Sequence, residues 1–572
     1  MTFLRNIYSL VNRVSKEGRL LYFIFTAILM ITNTVLLFTE PMDIVAKLAF
    51  ILIPLGVQML LLALIRKPGL TFLLLLPKSV LDAFQLVLIK LYGGSFIAVD
   101  MFLNVVTTNP TEAGELLSNM ASVIIFILAI YIPAIIVSLR SLQKKTKLEH
   151  LFRNRMLKIS GAILSVGLIC FAITQYNGSG FKAKYDLYPA NVIYNLDFAI
   201  KKWNKMTNCG DDICQFRYDA YRESGECGDE REIYVMVIGE TARAMSWGLY
   251  GYERETTPFA SRDERLVKFH ALTQSNTTHK SVPMLLTPAD AENYELLYRC
   301  KSIITLFKEC GFKSVFLTNH SYNQTFMERY FNEADISISL RENGQHSYDY
   351  PMVDSLTNIL QQDTTSNMFI VMHLYGSHFN YQERYPEEFA QFKPHKAETI
   401  SPAYKQELIN SYDNSILYTD NLLKKTVELI GQQRCKSAII YTSDHGEDLI
   451  DDRRKRFLHA SPIPTAYQLY VPFIFWNSDK YRQSEALKYN SIIHNSEYVI
   501  SSNEVLFHTM GDLASIRSPY LKEELSLCSP NFINKEPSYL TDHDGSIFIE
   551  KLPLKRPDRQ LLVKMGFLSG NQ

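Results

Sequence analysis

Five long apolar runs in the first 175 residues constrain the fold of this chain more than any other feature of its sequence. Each is about 18–20 residues long, the length at which a helix crosses the hydrocarbon core of a bilayer. A buried helix of a soluble protein would explain any one run, but five in succession predict an α-helical membrane domain of five transmembrane helices over residues 1–175. The runs are Leu20–Phe38, Leu48–Ile65, Leu70–Ile89, Ala121–Leu139 and Leu157–Thr174.

Lys and Arg residues are concentrated in three segments that flank these runs, and they predict the orientation of the domain. One segment precedes the first run, one follows the second at Arg66 and Lys67, and one follows the fourth between Arg140 and Lys158. If the helices alternate in direction, all three segments lie on the cytoplasmic side. We therefore expect everything after Thr174 to lie outside the cytoplasm.

Two polar features interrupt the apolar half. Lys78 and Asp82, four residues apart within the third run, are expected to form an ion pair. Asn104, Thr108 and Glu112, between the third and fourth runs, would share one face of a helix, although an intervening proline argues against a continuous one. That face is either simply solvated, which the spacing alone favours, or a patch at the membrane surface that holds a lipid headgroup.

The composition changes after residue 175. Residues 176–231 are interpreted as a linker with membrane-proximal helices, and residues 232–572 are long enough to bury a core of their own. In this last part β-rich runs alternate with helical stretches, which predicts an α/β domain with a mostly parallel sheet and helices on both faces. The predicted strands are Glu232–Ile238, Ser314–Thr318, Met368–Tyr375, Ser437–Tyr441 and Val471–Trp476, and the clearest helices are Tyr294–Glu309 and Gln406–Gly431.

Charge and cysteine content narrow the partners and the compartment. The formal net charge is zero, so no bulk attraction to nucleic acid is expected. Seven of the eight cysteines follow the fifth run, where an oxidising compartment favours disulfides, with Cys209–Cys214 and Cys300–Cys310 as the nearest neighbours. Spacing does not fix the connectivity, and zinc–thiolate ligation is the alternative, although no Cys-x-x-Cys pair occurs.

Residues able to bind a metal follow three of the predicted strands. Glu240 follows the first, His378 the third, and Asp444 with His445 the fourth. Ligands of open α/β sheets bind at the carboxyl ends of the strands, so these side chains are expected to meet there. A carboxylate beside an imidazole suits zinc. A turn or helix cap is the commoner explanation of a lone Asp-His pair, but the other two strand ends favour a metal site.

A hydroxyl-rich segment from Ser275 to Pro283 lies between the first two predicted strands. A metal that binds a hydroxyl lowers its pKa and makes it a competent nucleophile. Glu240, Asp444 and His445 could hold a zinc ion with a threonine oxygen of this segment as the fourth ligand.

Several short motifs occur in the order found in one family. With them, nearly the whole chain resembles the phosphoethanolamine transferases of Gram-negative bacteria, which include lipid A modifying enzymes and the mobile colistin-resistance enzymes. The resemblance implies five membrane helices and a periplasmic domain of the alkaline phosphatase/sulfatase type. The motifs are Gly239-Glu-Thr-Ala-Arg-Ala244, Leu249-Tyr-Gly-Tyr-Glu-Arg254, Ser281-Val-Pro283, Gly376-Ser-His378, Arg384-Tyr-Pro386, Tyr412-Asp-Asn414 and Ser443-Asp-His-Gly-Glu447.

The resemblance implies specific roles at the strand ends. Thr278 matches the nucleophile, three residues before the Ser-Val-Pro motif, and Glu240, Asp444 and His445 match the primary zinc ligands, with Thr278 as the fourth. One zinc ion is expected to bind tightly, and a second zinc remains open.

Other residues match positions that contact substrates. His378 and His459 match histidines that contact a second zinc or the substrate, and either could act as an acid or base. Asn104, Thr108 and Glu112 match loop residues that engage the donor lipid, which favours the headgroup interpretation of that patch.

The implied activity is transfer of phosphoethanolamine from phosphatidylethanolamine to a cell-envelope glycolipid, foremost lipid A, through a zinc-activated phosphothreonine. The implied setting is a monomer in the bacterial inner membrane with its catalytic domain in the periplasm. A core sugar of lipopolysaccharide or a periplasmic glucan are alternative acceptors, because the sequence departs from the family pattern at Phe379-Asn380 and around Leu317–Asn323.

Three other functions are alternatives to phosphoethanolamine transfer. A glycerol-phosphate transferase of the lipoteichoic type shares the five spans and the threonine nucleophile. A sulfatase would need a Cys or Ser in a C/S-x-P-x-R context, which none of the eight cysteines has. A membrane sensor with an inactive enzyme domain is disfavoured because the metal-binding residues are intact.

Overall fold

The computed structural model describes residues 9–40, 42–92, 95–107, 114, 120–178, 181–207, 211–223, 230–320, 327–341 and 348–569. The chain divides into two compact units, Met1–Ile200 and Lys201–Gln572. Each unit has its own hydrophobic core, as expected for independently packed parts of a long chain.

The first unit is helical. In the described part, four helices are long and apolar enough to cross a membrane, and a fifth span is present if a bent pair is counted as one. The third apolar run, predicted as a single helix, is that pair, and its two helices meet at 58°. The helices are α1 (Gly18–Thr39), α2 (Ile44–Leu64), the bent pair α3 (Pro68–Leu74) and α4 (Leu76–Tyr92), α5 (Val99–Thr107), α6 (Ala121–Gln143) and α7 (His150–Tyr176).

Two glycines bring α2 and α7 close together. A Cβ added at Gly56 would lie 2.8 Å from Leu164, and one added at Gly167 would lie 2.9 Å from Ile53. Small residues at such contacts allow tight packing where lipid removes the hydrophobic drive for association. Large side chains on the outside of α6, such as Ile125 at 66% exposure, are suited to face lipid.

The polar residues of the membrane half are found where the sequence suggested, as far as they are described. Lys78 and Asp82 form the predicted ion pair, with Nζ 2.7 Å from Oδ2, and the Tyr188 hydroxyl donates to the same carboxylate. Asn104 lies in α5, whereas Thr108 and Glu112 lie outside the described residues, so the lipid-binding patch stays a prediction.

Three further helices precede the sheet: α8 (Ala183–Asp186), α9 (Ala190–Thr207) and α10 (Asp211–Gln215). They fall within the segment interpreted as a linker. The boundary between the two compact units lies inside α9, so residues on both sides of it belong to this helix.

The second unit is built on an eight-stranded sheet in the order β10-β2-β9-β6-β1-β5-β3-β4. Only β9 is antiparallel to its neighbours, so the prediction of a mostly parallel sheet is confirmed. The strands are β1 (Glu232–Gly239), β2 (Val267–Leu272), β3 (Lys313–Thr318), β4 (Ile336–Ser339), β5 (Met368–His373), β6 (Lys436–Ser443), β9 (Tyr470–Asn477) and β10 (Val499–Ser501), beside two small hairpins, β7 (Asp448–Leu449) with β8 (Phe457–Leu458) and β11 (Ser538–Leu540) with β12 (Ser546–Phe548).

The central strand β1 is buried along its whole length because helices cover both faces of the sheet. Tyr234, Met236 and Ile238 point into one hydrophobic core, and the alternating Ile233 and Val235 point into the other. The α-helices of this unit are α11 (Thr278–Leu286), α12 (Ile303–Glu309), α13 (Met327–Phe331), α14 (Pro351–Gln362), α15 (Lys405–Gln432), α16 (Ala466–Leu469), α17 (Asp479–Ser484), α18 (Ala486–Asn495), α19 (Ser502–Leu513) and α20 (Arg556–Lys564).

Two sequence expectations about this unit are corrected. The helix predicted over Tyr294–Glu309 is a 3₁₀ turn followed by α12, because Ser302 caps α12 and its backbone N–H and hydroxyl donate to Glu333. The strands β2, β4 and β10 were not predicted, and β4 and β10 are only four and three residues long. Such short strands carry too little periodicity to be distinguished from loops.

The cysteines of this unit include buried thiols. Cys300, Cys435 and Cys528 are free and buried, so the Cys300–Cys310 pairing is not formed. Cys209 lies outside the described residues, so the Cys209–Cys214 pairing stays a prediction.

Candidate active site

Four side chains converge where β1, β6 and the start of α11 meet. The Thr278 hydroxyl donates to Glu240 Oε1 at 3.0 Å and lies 3.2 Å from His445 Nε2. His445 Nε2 lies 3.2 Å from Asp444 Oδ2 and 3.6 Å from Glu240 Oε1. Glu240, Asp444 and His445 are fully buried. The structure thus brings together the residues that the sequence analysis grouped as ligands and nucleophile.

This group is electrostatically suited to a divalent cation. Burial and the neighbouring Asp444 raise the pKa of Glu240 well above its usual value, and burial raises the pKa of Asp444 to about 6. Glu240 Oε2 and Asp444 Oδ2 are buried without a hydrogen-bond partner. Two carboxylates in one dry pocket are costly without a compensating cation. Glu240, Asp444 and His445 offer ligand atoms within 4.8 Å of one another and could hold a metal ion.

The histidine of this group has the tautomer that a metal ligand needs. His445 Nδ1 lies 3.0 Å from the carbonyl oxygen of Gly446, to which it donates, so the lone pair of Nε2 points at the site. Burial, with the nearby His459, lowers the pKa of His445 well below its usual value and keeps the ring neutral. A backbone carbonyl that holds the second ring nitrogen is the usual support of a ligating histidine.

The turn after β1 is held in place by residues of the recognised motifs. Thr241 has a left-handed backbone with φ of 55°, a strained conformation for a β-branched residue. The Tyr412 hydroxyl donates to Thr241 O at 2.6 Å and accepts from Arg243 N at 2.9 Å. Ser443 Oγ accepts from Ala242 N at 2.8 Å. These contacts fix the direction of the Glu240 side chain.

The loop after β6 is held from the other side. Ser281 Oγ and Thr273 Oγ1 donate to the carbonyl oxygen of Asp444 at 2.6 and 2.7 Å. Asn503 supports both, since its amide donates to Ser281 and its carbonyl oxygen accepts from the backbone N–H of Gln274, the residue after Thr273. The serine of the Ser-Val-Pro motif therefore positions a carboxylate rather than reacting.

The hydroxyl-rich segment is partly helical, because α11 begins at Thr278. The helix places Thr278 at its positive end, where a negative oxygen or a phosphate is stabilised. Two other hydroxyls lie nearby. Thr277 precedes the helix, and its Oγ1 lies 3.1 Å from Ser275 Oγ rather than capping the helix. Thr241 Oγ1 is buried without a hydrogen-bond partner.

His378 and His459 form a second row beside the metal-binding group. The rings of His459 and His445 are 4.2 Å apart, and those of His459 and His378 are 6.3 Å apart. His459 Nδ1 lies 3.3 Å from Glu447 Oε1, and His378 Nδ1 donates to Phe379 O at 2.7 Å. Burial, followed by the Arg384 guanidinium, lowers the pKa of His378 well below its usual value.

A second candidate metal group, not predicted from the sequence, lies on the opposite side of Glu240. His373 ends β5, His320 follows β3, and with Glu240 they offer ligand atoms within 4.8 Å. Both ring nitrogens of His373 are buried without a hydrogen-bond partner, and His320 Nε2 donates to Leu374 O at 2.8 Å. Burial lowers the pKa of His320 to about 3, so its ring is neutral. His320 follows the predicted strand Ser314–Thr318 and so gave a signal in the sequence, whereas His373 lies inside the predicted strand Met368–Tyr375 and gave none.

The hairpin strand β11, near the carboxyl end of the chain, packs on the Thr278 segment. The Tyr539 hydroxyl donates to Asn276 Oδ1 at 2.8 Å, and Leu540 N donates to Gln274 O at 2.8 Å. Lys280 Nζ donates to Thr541 O at 3.0 Å. These contacts hold both sides of the nucleophile candidate to β11.

Comparison with known proteins identifies both halves of the chain. Residues 48–202 match the family model described as phosphoethanolamine transferase EptA/EptB, and residues 232–516 match the model described as sulfatase. The amino-terminal half thus resembles the phosphoethanolamine transferases, and the carboxyl-terminal half has a sulfatase-like domain. These two matches confirm the resemblance inferred from the motifs.

Individual proteins are similar to this chain in sequence or in fold. A Kdo(2)-lipid A phosphoethanolamine 7''-transferase of Escherichia coli strain K12 is 33% identical over 261 residues, 44% of this chain and 45% of the relative. The lipooligosaccharide phosphoethanolamine transferase A of Neisseria meningitidis has the same fold, with a TM-score of 0.68 at 21% identity over 91% of this chain and 98% of the other. The C-terminal periplasmic domain of Escherichia coli EptC, solved in complex with Zn, has a TM-score of 0.53 to this chain at 25% identity. The match covers 59% of this chain and 96% of the EptC domain. The chain spans about half the length of the curated lipid A transferases that it matches, 45% and 46%.

Replacing Asp444 by Asn should weaken zinc binding by more than about tenfold, because even the loss of a residue that supports a ligand costs about 10–100-fold in metal affinity. The measurement is zinc content and chelator competition on the purified protein. Asp448→Asn is the matched control, since Asp448 is equally buried but its oxygens already accept from Thr465 and Gln468 at 2.8 and 2.7 Å. Equal zinc affinity in the two variants would remove Asp444 from the ligand group.

Gly446→Ala should disturb the loop that carries Asp444 and His445. The added Cβ would lie 2.0 Å from Tyr467 O, so the backbone must shift, at a cost of about 1–3 kcal/mol in the free energy of unfolding. Thermal unfolding and zinc content are the measurements, and both should fall. Gly431→Ala is the control, because its Cβ would meet only Trp476 at 3.9 Å and alanine favours the helix. A Gly446→Ala protein as stable as the control would contradict this packing.

Proposed function

We propose that the chain transfers phosphoethanolamine from phosphatidylethanolamine to lipid A, with Thr278 as the nucleophile and a phosphothreonine as the intermediate. The observation that supports this most is the position of the Thr278 hydroxyl, within 3.2 Å of both Glu240 and His445 at the start of a helix. The phosphoethanolamine transferase model that residues 48–202 match, and the names of the relatives, support the choice of substrates.

The first step forms a bond between Thr278 Oγ1 and the phosphorus of the donor, and it breaks the bond from phosphorus to the glycerol oxygen. Glu240 Oε1 accepts the hydrogen bond of the hydroxyl and is the atom placed to receive its proton. We assign His459, beside Glu447, to give a proton to the departing diacylglycerol. The amino end of α11 stabilises the charge on the transferring phosphate.

The second step transfers the phosphoethanolamine group from Thr278 to the acceptor. An acceptor oxygen bonds to phosphorus, the bond to Thr278 breaks, and the threonine oxygen takes back its proton. His378 donates from Nδ1 to Phe379 O, so its Nε2 has a lone pair that can accept the proton of the acceptor. Burial keeps this ring neutral, which is the form a base requires.

We propose that a single zinc ion binds tightly at Glu240, Thr278, Asp444 and His445, in line with the Zn complex of the EptC domain. It would supply Lewis acidity that lowers the pKa of the Thr278 hydroxyl. We further propose that the catalytic unit lies in the periplasm, with the basic segments of the first unit in the cytoplasm, and that the donor headgroup binds at Asn104, Thr108 and Glu112.

Thr278→Ala should abolish both diacylglycerol release and labelling of the protein by phosphatidylethanolamine that carries a radioactive phosphate. The unfolding temperature should stay near that of the unaltered protein, and zinc should be retained better than in Asp444→Asn, because Glu240, Asp444 and His445 remain and only a neutral hydroxyl ligand is lost. Thr277→Ala is the control, and it should still form the labelled intermediate. Labelled protein in the Thr278→Ala variant would show that another residue is the nucleophile.

The full-length double variant Asn104→Ala, Glu112→Ala should slow transfer from membrane phosphatidylethanolamine far more than transfer from soluble glycerophosphoethanolamine. The reason is that binding of the donor headgroup converts a bimolecular encounter into a positioned one. Glu17→Ala, which removes an exposed carboxylate elsewhere in the first unit, should leave both rates unchanged. Equal slowing on the two donors would favour the simpler interpretation of a solvated face.

A further inference from the structure

A buried arginine outside the metal-binding group has unmet hydrogen-bonding capacity. Arg341, shortly after β4, is only 8% exposed, and its Cζ lies 3.5 Å from the ring centroid of Tyr375. Its Nε and one terminal nitrogen are buried with no hydrogen-bond partner. Within the described ranges, no carboxylate lies within 4.0 Å of this guanidinium.

The second arginine beside Tyr375 has a carboxylate within ion-pair distance. Arg384 Cζ lies 4.5 Å from the same ring centroid, but its Nε donates to Asn380 O at 3.0 Å and its terminal nitrogen lies 3.5 Å from Glu383 Oε2. The nearby Asp349 is used elsewhere, because it accepts from Tyr375 N, Gly376 N and the Asn319 side chain. Of these two arginines, Arg341 is therefore the one without a carboxylate partner among the described residues.

Burial of a cation without a partner is costly, so this arrangement indicates that an anion binds there. Arginine suits a phosphate best, because its planar fork donates two parallel hydrogen bonds. Stacking on Tyr375 fixes the plane of the fork before the ligand arrives, which reduces the entropy lost on binding.

Arg341 is connected to the active site through the ring of Tyr375, and it is not among the hydrogen-bond partners of the Thr278 hydroxyl. The ring of Tyr375 is 4.8 Å from that of His378 and 5.0 Å from that of His320. The hydrogen-bond partners of the Thr278 hydroxyl are instead Glu240 and His445. Phosphatidylethanolamine carries one phosphate, which must lie at Thr278 when it reacts. A phosphate bound by Arg341 therefore belongs to the other substrate.

We infer that Arg341, stacked on Tyr375 with Arg384 beside it, forms a subsite for a phosphate group of the acceptor. The inference rests on the proposed function and narrows it, since a phosphorylated glycolipid would use this subsite and a neutral periplasmic glucan would not. It also gives Tyr375 and His378 complementary roles, with the first supporting the arginine and the second receiving the proton of the acceptor.

The test uses the full-length protein with phosphatidylethanolamine as donor and lipid A as acceptor, and it follows diacylglycerol release and product formation separately. Arg341→Gln should raise the KM for lipid A about 10–100-fold, the range expected for lost charge-assisted hydrogen bonds, while the initial burst of diacylglycerol keeps its amplitude. Arg341→Lys should recover part of this loss, since it keeps the charge but not the fork. Arg262→Gln, at a side chain that is 72% exposed, should match the unaltered protein.

A soluble probe distinguishes the two sources of phosphate. Glucose 1-phosphate should inhibit in competition with lipid A, with an inhibition constant that rises about 10–100-fold in Arg341→Gln, and neutral glucose should not inhibit. Competition with phosphatidylethanolamine, or a diacylglycerol burst that falls in Arg341→Gln, would assign the subsite to the donor and overturn the inference. An inhibition constant for glucose 1-phosphate that does not change in Arg341→Gln would also overturn the inference. If Arg341→Gln proves unstable, the same measurements are made on Arg341→Lys, which should show a smaller rise in the KM for lipid A and in the inhibition constant of glucose 1-phosphate. Absence of a burst in the unaltered protein would instead refute the proposed function.

Discussion

The burial of two carboxylates side by side is the constraint on which the catalytic unit depends. Glu240 and Asp444 have no exposed surface, and each keeps one oxygen without a hydrogen-bond partner. Such a pair is stabilised by a cation beside it, and both strand ends must be held firmly for the two carboxylates to meet. The hydroxyls of Tyr412, Ser281 and Ser443, which belong to the motifs, hold the two turns.

The order of strands explains why the centre of the site was predictable. The strands β6, β1, β5 and β3 are neighbours, so residues that follow them meet at one edge of the sheet even though they are far apart in sequence. Apolar runs that end in Glu240 or in Asp444-His445 are visible without a structure. The five apolar runs were equally clear, although the break between α3 and α4 was not, because hydropathy reports length and not direction.

What the sequence did not reveal were interactions made by ordinary residues at a distance. Arg341 follows a four-residue strand and has no motif around it, and its significance appears only when the ring of Tyr375 and the lack of a carboxylate are seen together. His373 was read as the interior of a strand that in fact ends there. Short edge strands and cation–ring contacts depend on tertiary packing, which local pattern cannot specify.

The packing of β11 against the Thr278 segment also has a consequence for biogenesis. Tyr539 and Leu540 bind Asn276 and Gln274, yet they are synthesised more than two hundred residues later. The segment that carries the nucleophile candidate therefore lacks part of its support until β11 has been synthesised. A nascent chain that ends before β11 would hold the Thr278 segment less firmly, so this segment would be completed only late in synthesis.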